Sequence, residues 1–292
     1  MEKISFFEIL KESWDTSFSR TSFLFFGFFI ALPLAVQTIV LPDASLPQTA
    51  LLEKAAHHPL LTLLLIGSFF VFKLFGKSNL ITTLHQNTKK NEHAEKKNPF
   101  FQEASRNFKK AFLLDITLAL FFLILFLVLA LPSLISFFTS GTVPETLLVL
   151  SALILIPVVI ISFFVREFSF FYFLLSPLRL KASFEAGATL FTKKRNLCLA
   201  FGLFALLQTL LFTFFLNLAM LGIVALSQKV TPFLSETVLL FSGTLLSLTW
   251  YEVFKQALWL NFFKRLATPK NPVAKEVTDA LFKEKVSEIP SA

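Results

Sequence analysis

Only one cysteine, Cys198, occurs in 292 residues, so an internal disulfide is excluded and no cluster of thiolates can hold a metal. Among leucines near the start of an apolar run, it reads as a small buried apolar side chain. Glycine is scarce at eight residues and tyrosine scarcer at two. The chain lacks a glycine-rich phosphate loop, a nucleophile elbow and a pair of carboxylates within an apolar pocket, so catalysis has almost no support. His57 and His58, like His85 and His93, lack the carboxylate or cysteine company of a metal site. The expectation is a protein that is not an enzyme and has no cofactor. A short basic leader is also missing. The residues before the first apolar run include Glu2, Glu8, Glu12 and Asp15, so that run is expected to stay in the mature protein.

What the chain has in quantity is apolar surface. It is 55% hydrophobic with a mean hydropathy of +0.70, and 40 residues are Phe. A chain of this composition would expose too much apolar surface to remain monomeric in water. The apolar residues gather into six stretches, at about 22–41, 60–75, 111–138, 146–165, 197–226 and 233–251. About 20 apolar residues let a helix cross the hydrocarbon core with every peptide group bonded internally. The expected fold is therefore all-α: a polytopic membrane protein with six transmembrane helices over 1–268 and a charged tail over 269–292. Pro33, Pro132 and Pro157 are expected to kink spans one, three and four.

Charge in the connections orients these spans. Of the 27 Lys and Arg, nearly all fall before span one, between spans two and three, between spans four and five, or after span six. Only Lys54 and Lys229 fall on the opposite side, with Lys73 inside the end of span two. Positive loops stay in the cytoplasm, so a multi-pass inner-membrane protein with both termini cytoplasmic is expected. The net charge of +8 then suits anionic lipid headgroups at the cytoplasmic face, and other membrane proteins, as partners rather than nucleic acid.

A small pattern recurs before spans one, three and five. Phe7 is followed by Trp14, Phe101 by Phe108, and Phe184 by Phe191, each pair seven residues apart and so on one helix face. In the first copy Ile4, Phe7, Leu10, Trp14 and Phe18 form an apolar stripe opposite Glu8, Lys11, Glu12 and Asp15. Three cytoplasmic interfacial amphipathic helices, each leading into a membrane hairpin, are expected, with these six aromatics as anchors. Spans two, four and six are expected to run on as helices past the bilayer.

The segment Pro177-Leu178-Arg179, Phe184-Glu185-Ala186, Lys193-Lys194-Arg195 leads into span five. With the six-span layout, it resembles a broad group of uncharacterised bacterial integral membrane proteins, similar to the membrane-domain family attached to some glycerophosphoryl diester phosphodiesterases. The resemblance implies the fold and not the activity, since the catalytic barrel and its metal-site motifs are missing from the chain.

Ionisable residues near a bilayer are costly and mark candidate sites. Lys73, Asp115, Arg166, Glu167 and Glu252 fall at the expected cytoplasmic ends of spans. Lys73, Arg166, Glu167 and Glu252 read either as a polar cluster at a cytoplasmic cavity or as interfacial anchors setting helix register. Gln208 and Asn217 in span five, with Gly243 and Ser247 in span six, suit helix packing, because small residues permit close approach and amides bond across it. The leading expectation is a non-enzymatic scaffold or accessory component of the inner membrane. The alternative is a small transporter or lipid-handling protein with a polar cavity open to the cytoplasm.

Overall fold

A computed structural model describes residues 5–20, 22–40, 59–89, 100–142, 144–230 and 236–267. His57, His58, His93, Lys54 and the tail over 269–292 lie outside the described residues, as do Ile4 and the side chain of Phe101. Among the described residues all regular structure is helical: α1 (Phe6–Phe18), α2 (Ser22–Val40), α3 (Pro59–Lys89), α4 (Phe100–Ser140), α5 (Glu145–Leu175), α6 (Leu180–Lys193), α7 (Arg195–Val230) and α8 (Glu236–Ala267). The chain divides into two compact units, Met1–Phe108 with Ala200–Phe262, and Lys109–Leu199 with Phe263–Ala292.

In the first unit, α1 begins at Ser5, whose hydroxyl accepts the Glu8 N–H at 3.4 Å and so satisfies a backbone donor of the first turn. Ile9, Ser13 and Ser17 form its buried face. Ser13 Oγ donates to the Ile9 carbonyl at 2.6 Å and accepts Asn261 Nδ2 of α8 at 3.1 Å. The expected aromatic stripe packs only in part, with Trp14 and Phe18 meeting the Trp250 ring of α8 at 5.0 and 5.5 Å between ring centroids. Phe7, Trp14 and Phe18 are 74%, 48% and 60% exposed, while small serines face the protein. After α1 the chain turns through 103° into α2.

Helix α2 lies between α3 and α8 and meets each at a glycine. A Cβ at Gly76 of α3 would stand 2.7 Å from the Phe26 carbonyl oxygen, and one at Gly27 would stand 2.7 Å from that of Thr249. Only a hydrogen at these positions allows the backbones so close. Phe23, Phe26, Ile30, Leu80, Ile81 and Leu84 fill the space around these contacts and are fully buried. Pro33 sits inside α2, and the helix continues through it, as α4 does through Pro132 and α5 through Pro157.

In the second unit, α6 folds back on the last turns of α5. Phe191 stacks on Phe164 with ring centroids 5.4 Å apart, and Phe171 stacks on Phe263 at 5.0 Å. Phe168, Phe170, Ser169 and Ser183 are buried there. The packing stops abruptly. From Ala119 to Phe163 no described side chain is buried, although 29 of those 45 residues are Leu, Ile, Val or Phe. In the first unit the same holds of α7 from Leu206 to Ile223. A helix apolar on every side and unburied is unsuited to water.

Among the described residues three helical stretches are long and apolar enough to cross a membrane, Gln102–Thr139, Glu145–Leu175 and Arg195–Ile223, and the bent pair α1 and α2 makes a fourth if taken as one span. The expected spans at 60–75 and 233–251 fall on α3 and α8, which are less uniformly apolar. Lys73, Lys77, Ser78 and Asn79 follow closely in α3, and Ser242, Thr244, Ser247 and Thr249 interrupt α8.

One expectation is corrected. The aromatic segment before span three is not a separate helix but the first turns of α4, continuous to Ser140. Lys109-Lys110-Ala111 offers no helix-breaking residue there, whereas α1 ends at Ser19, whose N–H bonds the Thr16 carbonyl. Helices α3, α5 and α8 run on past the expected spans to Lys89, Leu175 and Ala267.

Candidate functional site

Among the described residues the buried charged side chains are Asp115 and Glu167 in the second unit and Lys77 and Glu252 in the first. In the second unit, α4 brings Asp115 to Arg166 of α5. Arg166 Nε donates to Asp115 Oδ1 at 2.9 Å and one terminal nitrogen to Oδ2 at 2.8 Å, a bidentate pair. The other terminal nitrogen reaches Glu167 Oε1 at 3.3 Å. Both carboxylates are nearly excluded from solvent, and the guanidinium is about a third exposed. Asp115 stands one turn before Leu118, the last buried side chain of α4, and Arg166 shortly after Phe164, the first of α5. The pair therefore clamps the two helices just where they cease to pack. Its donors and carboxylates are committed to one another.

In the first unit, α7 and α8 with Leu34 of α2 line a cleft of about 480 Å³. Phe212, Leu216 and Leu248 make its apolar walls, and Thr209, Thr213, Asn217, Thr244, Tyr251, Glu252 and Lys255 its polar ones. Tyr251 stacks on Phe212 at 3.8 Å, and its hydroxyl donates to Thr209 Oγ1 at 2.7 Å. Glu252 is 3% exposed, and its Oε1 accepts Lys255 Nζ at 2.5 Å. Lys255, about a third exposed, also lies 5.7 Å from the centre of the Tyr251 ring. One helical turn of α8 thus presents a carboxylate, an ammonium and a phenol to a cleft with apolar walls.

The expected four-residue cluster is distributed as follows. Arg166 and Glu167 pair in the second unit, Glu252 lines the cleft of the first, and Lys73 is exposed on α3. Among the packing candidates, Asn217 lines the cleft, and a Cβ at Gly243 would meet Ile223 and Met220 of α7 at 3.3 and 3.4 Å. Ser247 is half-buried, and Gln208 has a buried Oε1 without a partner among the described residues. Among the anchors, Phe7 and Trp14 are exposed, Phe108 packs on Phe75 at 6.5 Å, and Phe191 is buried. Phe184 lines an apolar cleft of about 360 Å³ with Phe121, Ile161 and Val165.

Lys255, Tyr251 and Thr209 are the site residues that sequence reasoning missed. A signal existed: Lys255 is four residues from Tyr251 and three from Glu252, the spacings that set side chains beside each other on a helix. Among the described residues no group of three or more His, Cys, Asp or Glu is placed to hold a metal ion. No protein-family model, no curated protein and no solved structure matches this chain.

Proposed function

We propose that this chain is a non-enzymatic, six-span protein of the inner membrane, a scaffold or accessory component with both termini cytoplasmic. Spans two and six would be the apolar parts of α3 and α8, completing the pairs begun by α2 and α7. The observation that carries the reading is the unburied apolar surface from Ala119 to Phe163, beside ends of the same helices that pack around paired charges. Hydrocarbon is the solvent that leaves such a surface uncovered at no cost. The aromatic stripe of α1 suits the headgroup layer, where amphipathic rings settle. Anionic lipids would meet the Lys-rich side, and other membrane proteins are the remaining partners. Reporter fusions after Glu95 and after Gly141 test the layout: the first should signal cytoplasm and the second exterior, and matching signals from both would refute six spans.

A second reading, a lipid-handling protein, is favoured by the cleft at Glu252 and Lys255. A scaffold has no need of a buried carboxylate facing a cleft, because an apolar residue there packs as well or better.

A further inference from the structure

We infer that the cleft between α7 and α8 binds a phospholipid whose headgroup carries both a phosphate and a primary ammonium. The inference rests on the lipid-handling reading and names its ligand class.

The unused bonding capacity of the cleft identifies the headgroup. Lys255 engages Oε1 of Glu252, and Oε2 has no hydrogen-bond partner among the described residues. Glu252 as a residue is 3% exposed, and a charged donor entering from the cleft is the partner that best satisfies its second carboxylate oxygen. The hydroxyls do not supply it. Thr209 and Thr213 donate to the carbonyls of Ala205 and Thr209, one turn back, and Tyr251 donates to Thr209. What these three hydroxyls offer the cleft is lone pairs, to which a primary ammonium can donate and a quaternary one cannot, while the Asn217 amide can accept as well as donate. Lys255 supplies the complement. An ammonium has three donors; one is held by Glu252, and the group is accessible enough to meet a phosphate oxygen.

Charge balance narrows the choice further. Glu252 and Lys255 neutralise each other, so the pair carries no net charge to draw in a purely anionic or a purely cationic headgroup. A headgroup with both charges satisfies both residues. The rest of the cleft suits the remainder of the molecule. The helix rise from Lys255 to Thr244 is about 16 Å. Along that length Leu34, Phe212, Leu216 and Leu248 offer an apolar wall to an acyl chain.

Native mass spectrometry of the delipidated full-length protein in detergent tests this, with phosphatidylethanolamine, phosphatidylcholine and phosphatidylglycerol supplied at equal concentration. Phosphatidylethanolamine adducts should exceed those of phosphatidylcholine by about tenfold, the worth of one charged hydrogen bond. Glu252→Gln should erase that preference and raise phosphatidylglycerol relative to phosphatidylethanolamine, since it frees the Lys255 charge. Lys255→Gln should weaken both phosphatidylethanolamine and phosphatidylglycerol. Leu248→Trp, which fills the groove and leaves the charged pair alone, should lower every adduct. If Leu248→Trp changes nothing, lipid does not occupy this cleft, and the lipid-handling reading falls with the inference. If Leu248→Trp lowers binding but Glu252→Gln leaves the preference intact, or the three lipids bind equally, the headgroup assignment alone is overturned. Should Glu252→Gln fail to fold, the Lys255→Gln and Leu248→Trp arms still decide.

Discussion

Arg166 engages two carboxylates, and the one that binds it through two nitrogens lies 51 residues away in sequence. Removing the guanidinium leaves Asp115 buried without its counterion, a change that costs far more than the pair contributes. Arg166→Met should therefore lower stability by about 3 kcal/mol, the usual penalty for a stranded buried charge. The double variant Asp115→Leu with Arg166→Met should recover most of that loss. Far-ultraviolet circular dichroism during thermal unfolding in detergent measures both, and an undiminished melting temperature in Arg166→Met would show that the pair clamps nothing. Sequence reading placed both residues at span ends, where charge is tolerated, and their adjacency made the Arg166 contact with Glu167 foreseeable. Asp115 as the main partner was not foreseeable, because pairing across 51 residues is decided by how α4 meets α5. Lys255 illustrates the same gap. On the sequence it is one of many cations that orient the chain; burial of Glu252 beside it turns an ordinary i,i+3 pair into a site.

At the scale of the element, glycines decide which helix faces can meet. Two glycines of α3 make a matched test. A Cβ at Gly76 would press against Phe26 and Ile30 of α2, whereas one at Gly67 meets nothing within 4 Å. Gly67→Ala should leave stability unchanged or raise it by up to about 1 kcal/mol, the helix propensity of alanine over glycine. Gly76→Ala should lower it by about 1–3 kcal/mol despite the same propensity gain, because α2 and α3 must move apart. Equal effects of the two, measured by thermal unfolding, would remove the close approach from the account. Helix α1 shows what amphipathic periodicity does and does not establish. The stripe of Phe7, Trp14 and Phe18 is legible from spacing. That Ser13 and Ser17 form the protein-facing side is not legible, since a serine face reads as solvated until Asn261 is found against it.

For the whole molecule, the contrast between packed helix ends and bare apolar middles is open to a direct probe. A lipid-soluble diazirine photolabel in reconstituted vesicles should mark Leu120–Leu131, Leu153–Phe163 and Leu203–Leu221 heavily, and the buried run Phe168–Leu174 hardly at all. Labelling concentrated in Phe168–Leu174 would reverse the assignment of lipid-facing and protein-facing surface.

Helicity and membrane-length apolar runs follow from the order of residues alone, because a peptide in hydrocarbon must satisfy its hydrogen bonds within its own helix. That demand is written locally as about 20 consecutive apolar residues. The bonds of Arg166 to Asp115, of Asn261 to Ser13 and of Tyr251 to Thr209 join residues 51, 248 and 42 positions apart. No periodicity encodes such pairs. Side-chain contacts between helices depend on which faces turn towards each other, and packing in three dimensions settles that.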